Sequence, residues 1–105
     1  MTVLPVVVTA SAAAAISEAK EWWAQNRLSS ATPLADDLER TFELIATHPA
    51  IGARATNVSL SGVRRVHIAR IRYHLYYRVS PAGDTIEVLA FWHTSRGSDP
   101  AIPDP

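Results

Sequence analysis

Three of the four histidines lie in the second half of the chain, where they could exchange protons near neutral pH. His93 and Arg96 are three residues apart and give the best combination of a general acid with a cation that could hold a phosphate group. Tyr77 and Arg65 would complete such a site. If the chain is an enzyme, this set predicts acid–base chemistry at a phosphodiester. A histidine at a strand end is, however, more often a hydrogen-bonded structural residue.

The histidines do not have the spacing of a metal site, because His48, His67, His74 and His93 include no close pair. The chain has no cysteine, which excludes disulfides, zinc–thiolate sites and thiol catalysis and fits a cytoplasmic location. It has no glycine-rich phosphate loop and no nucleophile elbow. No apolar run reaches the ~18–20 residues that cross a membrane. We therefore predict no metal, no cofactor and no membrane partner.

Arginine is concentrated in one part of a chain whose formal net charge is zero. Residues 51–83 contain six arginines and no acidic residue. Such a block is a candidate surface for an acidic partner, although arginines on a sheet face can also simply be solvated. The arginines that we expect to contact a partner are Arg64, Arg65, Arg70, Arg72, Arg78 and Arg96.

Two adjacent tryptophans could add an apolar anchor to this surface. Trp22 and Trp23 fall in a segment with helical periodicity, where consecutive side chains point about 100° apart. Both indoles therefore cannot point into the same core. We expect one to be a core residue and the other to lie at the border, where it could contact a partner, since tryptophan is enriched at binding hot spots.

The residues named so far must be positioned by strands in the second half of the chain. Residues 73–79 and 85–93 are rich in aromatic and β-branched residues, which predicts two strands. The turn between them, residues 80–84, contains Pro81 and Gly83. Residues 63–69 predict a preceding strand, and the short connections favour consecutive antiparallel pairing.

The first half predicts a strand over residues 3–9 and two helices. Ser11 is the expected N-cap of a helix that runs to about residue 28, and Thr32 with Pro33 begins a second helix that ends before Pro49. The predicted fold is α+β: an N-terminal strand and an α-helical hairpin packed on a C-terminal three-strand antiparallel sheet. Residues 1–97 form the single domain, and residues 98–105 form an extended or disordered tail.

Several finer expectations follow from this pattern. Residues 51–58 have no clear period and predict a loop. Tyr76 and Tyr77 point to opposite faces of a strand, so one can be core and one exposed. The residues expected at the contact between helices and sheet are Ile16, Leu38, Phe42, Leu75 and Trp92.

Four stretches of this sequence resemble one toxin family. The run HPAIG at residues 48–52 looks like the Pro-x-x-Gly helix exit of the ParE branch of the RelE/ParE toxins. Arg64-Arg65, the strand YHLYYRV at 73–79 and the run VLAFWHTSRG at 88–97 also look like ParE. The resemblance covers nearly the whole chain, although the first strand and helix match only in pattern. It implies a helical hairpin on an antiparallel sheet.

The resemblance also implies a function: the toxin of a type II toxin–antitoxin pair, silenced by a cognate antitoxin. ParE-like members inhibit DNA gyrase by protein contact, and RelE-like members cleave mRNA on the ribosome with several lysines and arginines and a C-terminal tyrosine. Here the only lysine, Lys20, lies on the first helix, and no aromatic residue follows Trp92. These departures favour a gyrase inhibitor that is not an enzyme. A RelE-type endoribonuclease and an inactive binding domain remain alternatives.

Overall fold

The computed structural model describes residues 3–26, 32–95 and 102. Two helices and five strands follow one another along the chain. In order, they are β1 Val6–Val8, α1 Ala10–Asn26, α2 Thr32–Thr47, β2 Ala53–Arg54, β3 Arg64–Ile68, β4 Tyr73–Val79 and β5 Ile86–His93. The α+β prediction is confirmed. Among the described residues, no helix has the length and apolar character needed to span a membrane.

The strands form one five-stranded sheet in the order β1-β5-β4-β3-β2, so the expected three-strand sheet is extended at both edges. β1 pairs in parallel with β5, and the other neighbours are antiparallel. β2 lies within the residues predicted as a loop, and that prediction is wrong for these two residues. A strand of two residues is too short to show a periodicity in the sequence. Only its pairing with β3 defines it.

The first helix begins two residues earlier than its sequence suggests. The Thr9 hydroxyl accepts the backbone N–H of Ala12 at 3.3 Å, so Thr9 and not Ser11 is the N-cap. α1 packs across β5 and buries Ala12, Ala19 and Trp23. The predicted end of this helix, at residues 27 and 28, lies outside the described residues.

The second helix buries Leu34, Leu38 and Ile45 against the same face of the sheet. Phe42, which was expected in the core, is only partly buried at its margin. α2 is also tied to the β3–β4 connection, since Asp37 accepts two hydrogen bonds from Arg70 at 2.7 and 3.0 Å.

The face of the sheet away from the helices, here called the outer face, carries a second apolar cluster. It contains Val63, Tyr76, Leu89 and Ile102, with Trp92 packed against it. Tyr76 and the helix-side Tyr77 point to opposite faces, as predicted, but both are buried and neither is exposed. Trp92 was predicted to lie at the contact between helices and sheet. That prediction is wrong, because Trp92 packs on the outer face.

Within the predicted tail, Ile102 is described, and only 9% of its surface is exposed. Its contribution to the outer-face cluster is one reason that Tyr76 is covered. The rest of residues 98–105 lies outside the described residues, so the extended tail stays a prediction.

Candidate functional site

A groove of about 710 Å³ lies between the end of α1, the β3–β4 connection and the end of β5. It is called the tryptophan groove below. Four of the residues predicted to contact a partner lie in it, together with one of the predicted acid–base residues. Its lining is Trp22, Trp23, Arg70, Ile71, Arg72, Tyr73, His93 and Ser95.

The two tryptophans differ in burial, as the helical spacing predicts. Trp23 is buried in the helix-side core, whereas 52% of the surface of Trp22 is exposed at the groove. Their rings meet edge to face with centroids 6.3 Å apart, so the buried indole supports the exposed one. Trp22 is thus a large apolar surface held in place by its neighbour.

The β3–β4 connection presents Arg70 and Arg72 to the groove. Arg72 has a positive φ of 62°, a conformation that costs non-glycine residues free energy. Its backbone N–H donates to the carbonyl of Ile68, and its carbonyl accepts from Thr94. These hydrogen bonds, both 2.9 Å long, fix the tight connection beside the end of β5.

Arg70 is held at the groove by a nearly buried carboxylate. Its hydrogen bonds to Asp37 are the main reason that the pKa of this carboxyl group lies below its usual value, with Arg40 contributing in the same direction. Burial acts against this shift. The ion pair fixes the arginine while more than half of its side-chain surface stays exposed to a partner.

His93 lies at the end of β5, opposite Tyr73 in the strand register. Its ring stands perpendicular to the Tyr73 ring with centroids 4.9 Å apart, and Tyr73 in turn stacks on Phe91. The imidazole Nδ1 lies 2.6 Å from the hydroxyl oxygen of Ser95. Arg96, the predicted phosphate-holding partner of His93, lies outside the described residues.

Besides Arg70, two of the predicted partner-binding arginines are engaged within the protein. Arg78 pairs with Glu87 at 2.6 Å, and only 12% of its side-chain surface is exposed. Arg64 donates to the carbonyl of Gly52 at 2.8 Å. In contrast, none of the ion pairs among the described residues involves Arg65 or Arg72. The exposed basic surface is therefore smaller than the sequence indicates.

Tyr77 has a structural environment that does not suit acid–base catalysis. It is fully buried, and its hydroxyl donates to the carbonyl of Pro49 at 2.7 Å and accepts the N–H of Gly52 at 3.0 Å. Burial raises its pKa, although the Gly52 hydrogen bond and the charge of Arg64 act in the opposite direction. Tyr77 thus holds the residue 49–52 turn and lies apart from the groove that contains His93.

A second polar cluster lies on the outer face, and sequence patterns alone did not predict it. Arg65 and His67 on β3 lie opposite Tyr76 and His74 on β4. The two histidine rings have centroids 5.0 Å apart. Burial lowers the pKa of His74, and the charges of Arg65 and His67 lower it further. The alternation along each strand could have placed these residues on one face, but only the register brings them side by side.

The buried Nδ1 atom of His74 has no hydrogen-bond partner among the described residues. The neighbouring Arg65 makes this cluster better suited to an anion than to a metal cation. Among residues 3–26, 32–95 and 102, no three histidine, aspartate or glutamate side chains are grouped as metal ligands would be.

A third feature is a shallow apolar groove of about 690 Å³ between β1 and α2. Val3 and Leu44 are its most exposed apolar residues, and Arg40 and Glu43 lie at its rim. Sequence patterns did not predict this groove, because the strand expected over residues 3–9 carries no signal that shows its place in the sheet. β1 is an edge strand with one side open.

Solved structures with the same architecture come from toxin–antitoxin complexes. One is from a chromosomal ParDE toxin–antitoxin system of P. aeruginosa, 18% identical over 89% of this chain and 98% of that chain, with a TM-score of 0.71. Another is from the RelBE2 toxin–antitoxin complex of Mycobacterium tuberculosis, 20% identical over 87% of this chain and 98% of that chain, with a TM-score of 0.63. The fold is thus that of ParE/RelE-type toxins.

The sequence itself shows the family of the chain. Residues 6–97 match the family described as the ParE toxin of the type II toxin–antitoxin system parDE. The chain belongs to this family. In a comparison with curated proteins, no sequence matches it.

Proposed function

We propose that this toxin acts by protein contact on DNA gyrase and that a cognate antitoxin neutralises it by covering the same surface in the cytoplasm. The observation that carries the proposal is the tryptophan groove. It combines an exposed, rigidly supported Trp22 with the guanidinium groups of Arg70 and Arg72. Tryptophan and arginine are the residue types most enriched at binding hot spots.

The charge of the groove indicates what kind of segment would bind there. Arg72 has no ion-pair partner among the described residues, and the Arg70–Asp37 pair leaves part of its guanidinium accessible. A partner that places an acidic group beside an apolar anchor would satisfy both features. The antitoxin and gyrase would then compete for one site, which explains neutralisation without a second mechanism.

The gyrase proposal is tested by the inhibition of DNA supercoiling by purified gyrase. Truncation of a hot-spot residue costs about 2 kcal/mol or more, so Trp22→Ala should weaken inhibition roughly 30-fold. Arg72→Glu should weaken it further, with an effect that shrinks as salt rises. Ile51→Ala is the matched control, because Ile51 is equally exposed but lies outside the groove.

Antitoxin binding is measured separately, with the cognate antitoxin as the partner. Loss of both gyrase inhibition and antitoxin binding in Trp22→Ala supports one shared surface. If gyrase inhibition is lost while antitoxin binding is unchanged, the two partners use different surfaces. Full inhibition of gyrase by Trp22→Ala would contradict the proposal.

A second candidate function, mRNA cleavage of the RelE type, is favoured by the cluster of Arg65, His67 and His74. Two imidazoles beside an arginine supply the general acid, general base and phosphate contact that 2′-hydroxyl attack requires. The set predicted from the sequence, His93, Arg96, Tyr77 and Arg65, is a weaker nuclease candidate, because Tyr77 is buried and its hydroxyl is already hydrogen-bonded. Arg65 belongs to both sets.

The test of this alternative is cleavage of mRNA on ribosomes by the wild type and by His74→Gln. General acid–base catalysis predicts that His74→Gln lowers the cleavage rate about 10²–10⁴-fold while the fold is retained. Cleavage that depends on His74, together with unaffected gyrase, would establish the nuclease. If the wild type cleaves no mRNA, this alternative is excluded.

A further inference from the structure

His93 and Ser95 form a contact that the proposed function does not use. Besides the 2.6 Å contact between the Ser95 hydroxyl and Nδ1 of His93, the Ser95 backbone N–H donates to the same nitrogen at 3.1 Å. An N–H group can only donate, so Nδ1 is an acceptor and the neutral ring carries its proton on Nε2. The Ser95 hydroxyl therefore donates to Nδ1, which is the polarity in which histidine removes a proton from serine.

The imidazole is positioned before any reaction begins. Tyr73 holds it edge to face, and the Tyr73 ring is itself stacked on Phe91 with centroids 4.1 Å apart and planes 3° from parallel. The backbone N–H of Thr94 donates to the backbone carbonyl of Arg72 and fixes the chain between His93 and Ser95. Because both partners are fixed, the pair loses little entropy on reaching a reactive geometry.

The surroundings indicate which reagent would fit. Ser95 is exposed, and it lines the tryptophan groove together with Arg70 and Arg72. Guanidinium groups bind phosphate oxygens with charge-assisted hydrogen bonds. A small electrophile with a phosphate leaving group would therefore be drawn to this groove and stabilised as it departs.

We propose that Ser95 is an activated nucleophile that accepts an acyl group from an acyl phosphate, with His93 as its general base. The Ser95 oxygen forms a bond to the carbonyl carbon, and the bond from that carbon to the phosphate oxygen breaks. The hydroxyl proton passes to Nδ1 of His93, and the electron pair leaves with the phosphate beside Arg72. The products are O-acylserine and inorganic phosphate, so the reaction is a stoichiometric modification of the groove.

The test uses the purified chain with acetyl phosphate, and the modified residue is located by mass spectrometry of its peptides. Acetylation should occur at Ser95 and be absent there in Ser95→Ala. His93→Gln should react about 10²–10⁴-fold more slowly, which is the range of general-base assistance. Ser61→Ala is the control, because Ser61 is also exposed but lies outside this groove. The Ser61→Ala variant should be acetylated at Ser95 at the same rate as the wild type.

A second reagent separates the base from the arginine. Arg72→Gln should slow the reaction with acetyl phosphate but not with 4-nitrophenyl acetate, which is uncharged. Thermal melting of each variant verifies that it is folded. The proposal is overturned if His93→Gln reacts at the wild-type rate or if other exposed serines are acetylated as fast as Ser95. Phosphorylation of Ser95 in place of acetylation would also overturn it.

Discussion

The side chain of Tyr77 and the backbone of Gly52 are in direct contact at the exit of α2. The Gly52 N–H donates to the Tyr77 hydroxyl at 3.0 Å, and a Cβ atom on Gly52 would lie 2.9 Å from both the hydroxyl oxygen and Cε1 of that ring. The tyrosine thus requires glycine at this position. This contact gives a physical reason for the Pro-x-x-Gly run at residues 49–52.

Tyr77→Phe should destabilise the fold. The substitution leaves the Gly52 N–H and the Pro49 carbonyl without their partner in a buried setting, which costs about 1–3 kcal/mol. Urea unfolding measures the change in the free energy of unfolding. Tyr76→Phe is the control, because the Tyr76 hydroxyl accepts a longer, 3.2 Å hydrogen bond from Asn57 and should matter less. An equal or smaller loss in Tyr77→Phe would contradict this prediction.

Gly52→Ala should also destabilise, by about 1–3 kcal/mol, because the added methyl group meets Tyr77 and the carbonyl of Arg65. The Gly52→Ala/Tyr77→Phe double variant should lose less than the sum of the two single variants, since both break the same contact. Unfolding free energies of the four proteins complete the cycle. Strict additivity would show that the two residues do not act together.

Arg72→Gly should raise stability while it weakens partner binding. A left-handed conformation costs a non-glycine residue about 1–2 kcal/mol, whereas the extra freedom of glycine in the unfolded chain costs roughly 0.5–1 kcal/mol. The expected net gain is about 0.5–1 kcal/mol, measured by thermal melting. Arg72→Ala keeps the strain and should show no such gain. A melting temperature below that of Arg72→Ala would refute the strain assignment.

Stability should fall on acidification in a way that depends on His74. Its pKa in the folded protein is below the usual 6.5, so the unfolded chain binds the proton more readily. Stability is therefore fully present above 6.5 and is lost as the pH falls towards the lowered pKa. His74→Gln should flatten this loss between about pH 7 and about pH 5. Unfolding curves across this range measure it, and an unchanged slope would contradict the assignment.

The sequence determined most of the secondary structure because those signals are local. The alternation and β-branched content of residues 73–79 predict β4 with its observed limits, and Gly83, with a φ of 79°, provides the turn that follows. The helical spacing also separated Trp22 from Trp23 correctly. The N-cap was misplaced because Ser11 and Thr9 are both suitable residues, and only the backbone geometry selects Thr9.

The tertiary structure decided which charged and polar residues are available to a partner. Arg78 is neutralised by Glu87 across the β4–β5 register, and Arg70 pairs with Asp37 from a different element, 33 residues away. Tyr76 is covered partly by Ile102 from the end of the chain. Sequence patterns identify the side of an element that faces the core, because that depends on spacing along one segment. They do not identify which distant group pairs with a given charge, because that depends on how the elements pack.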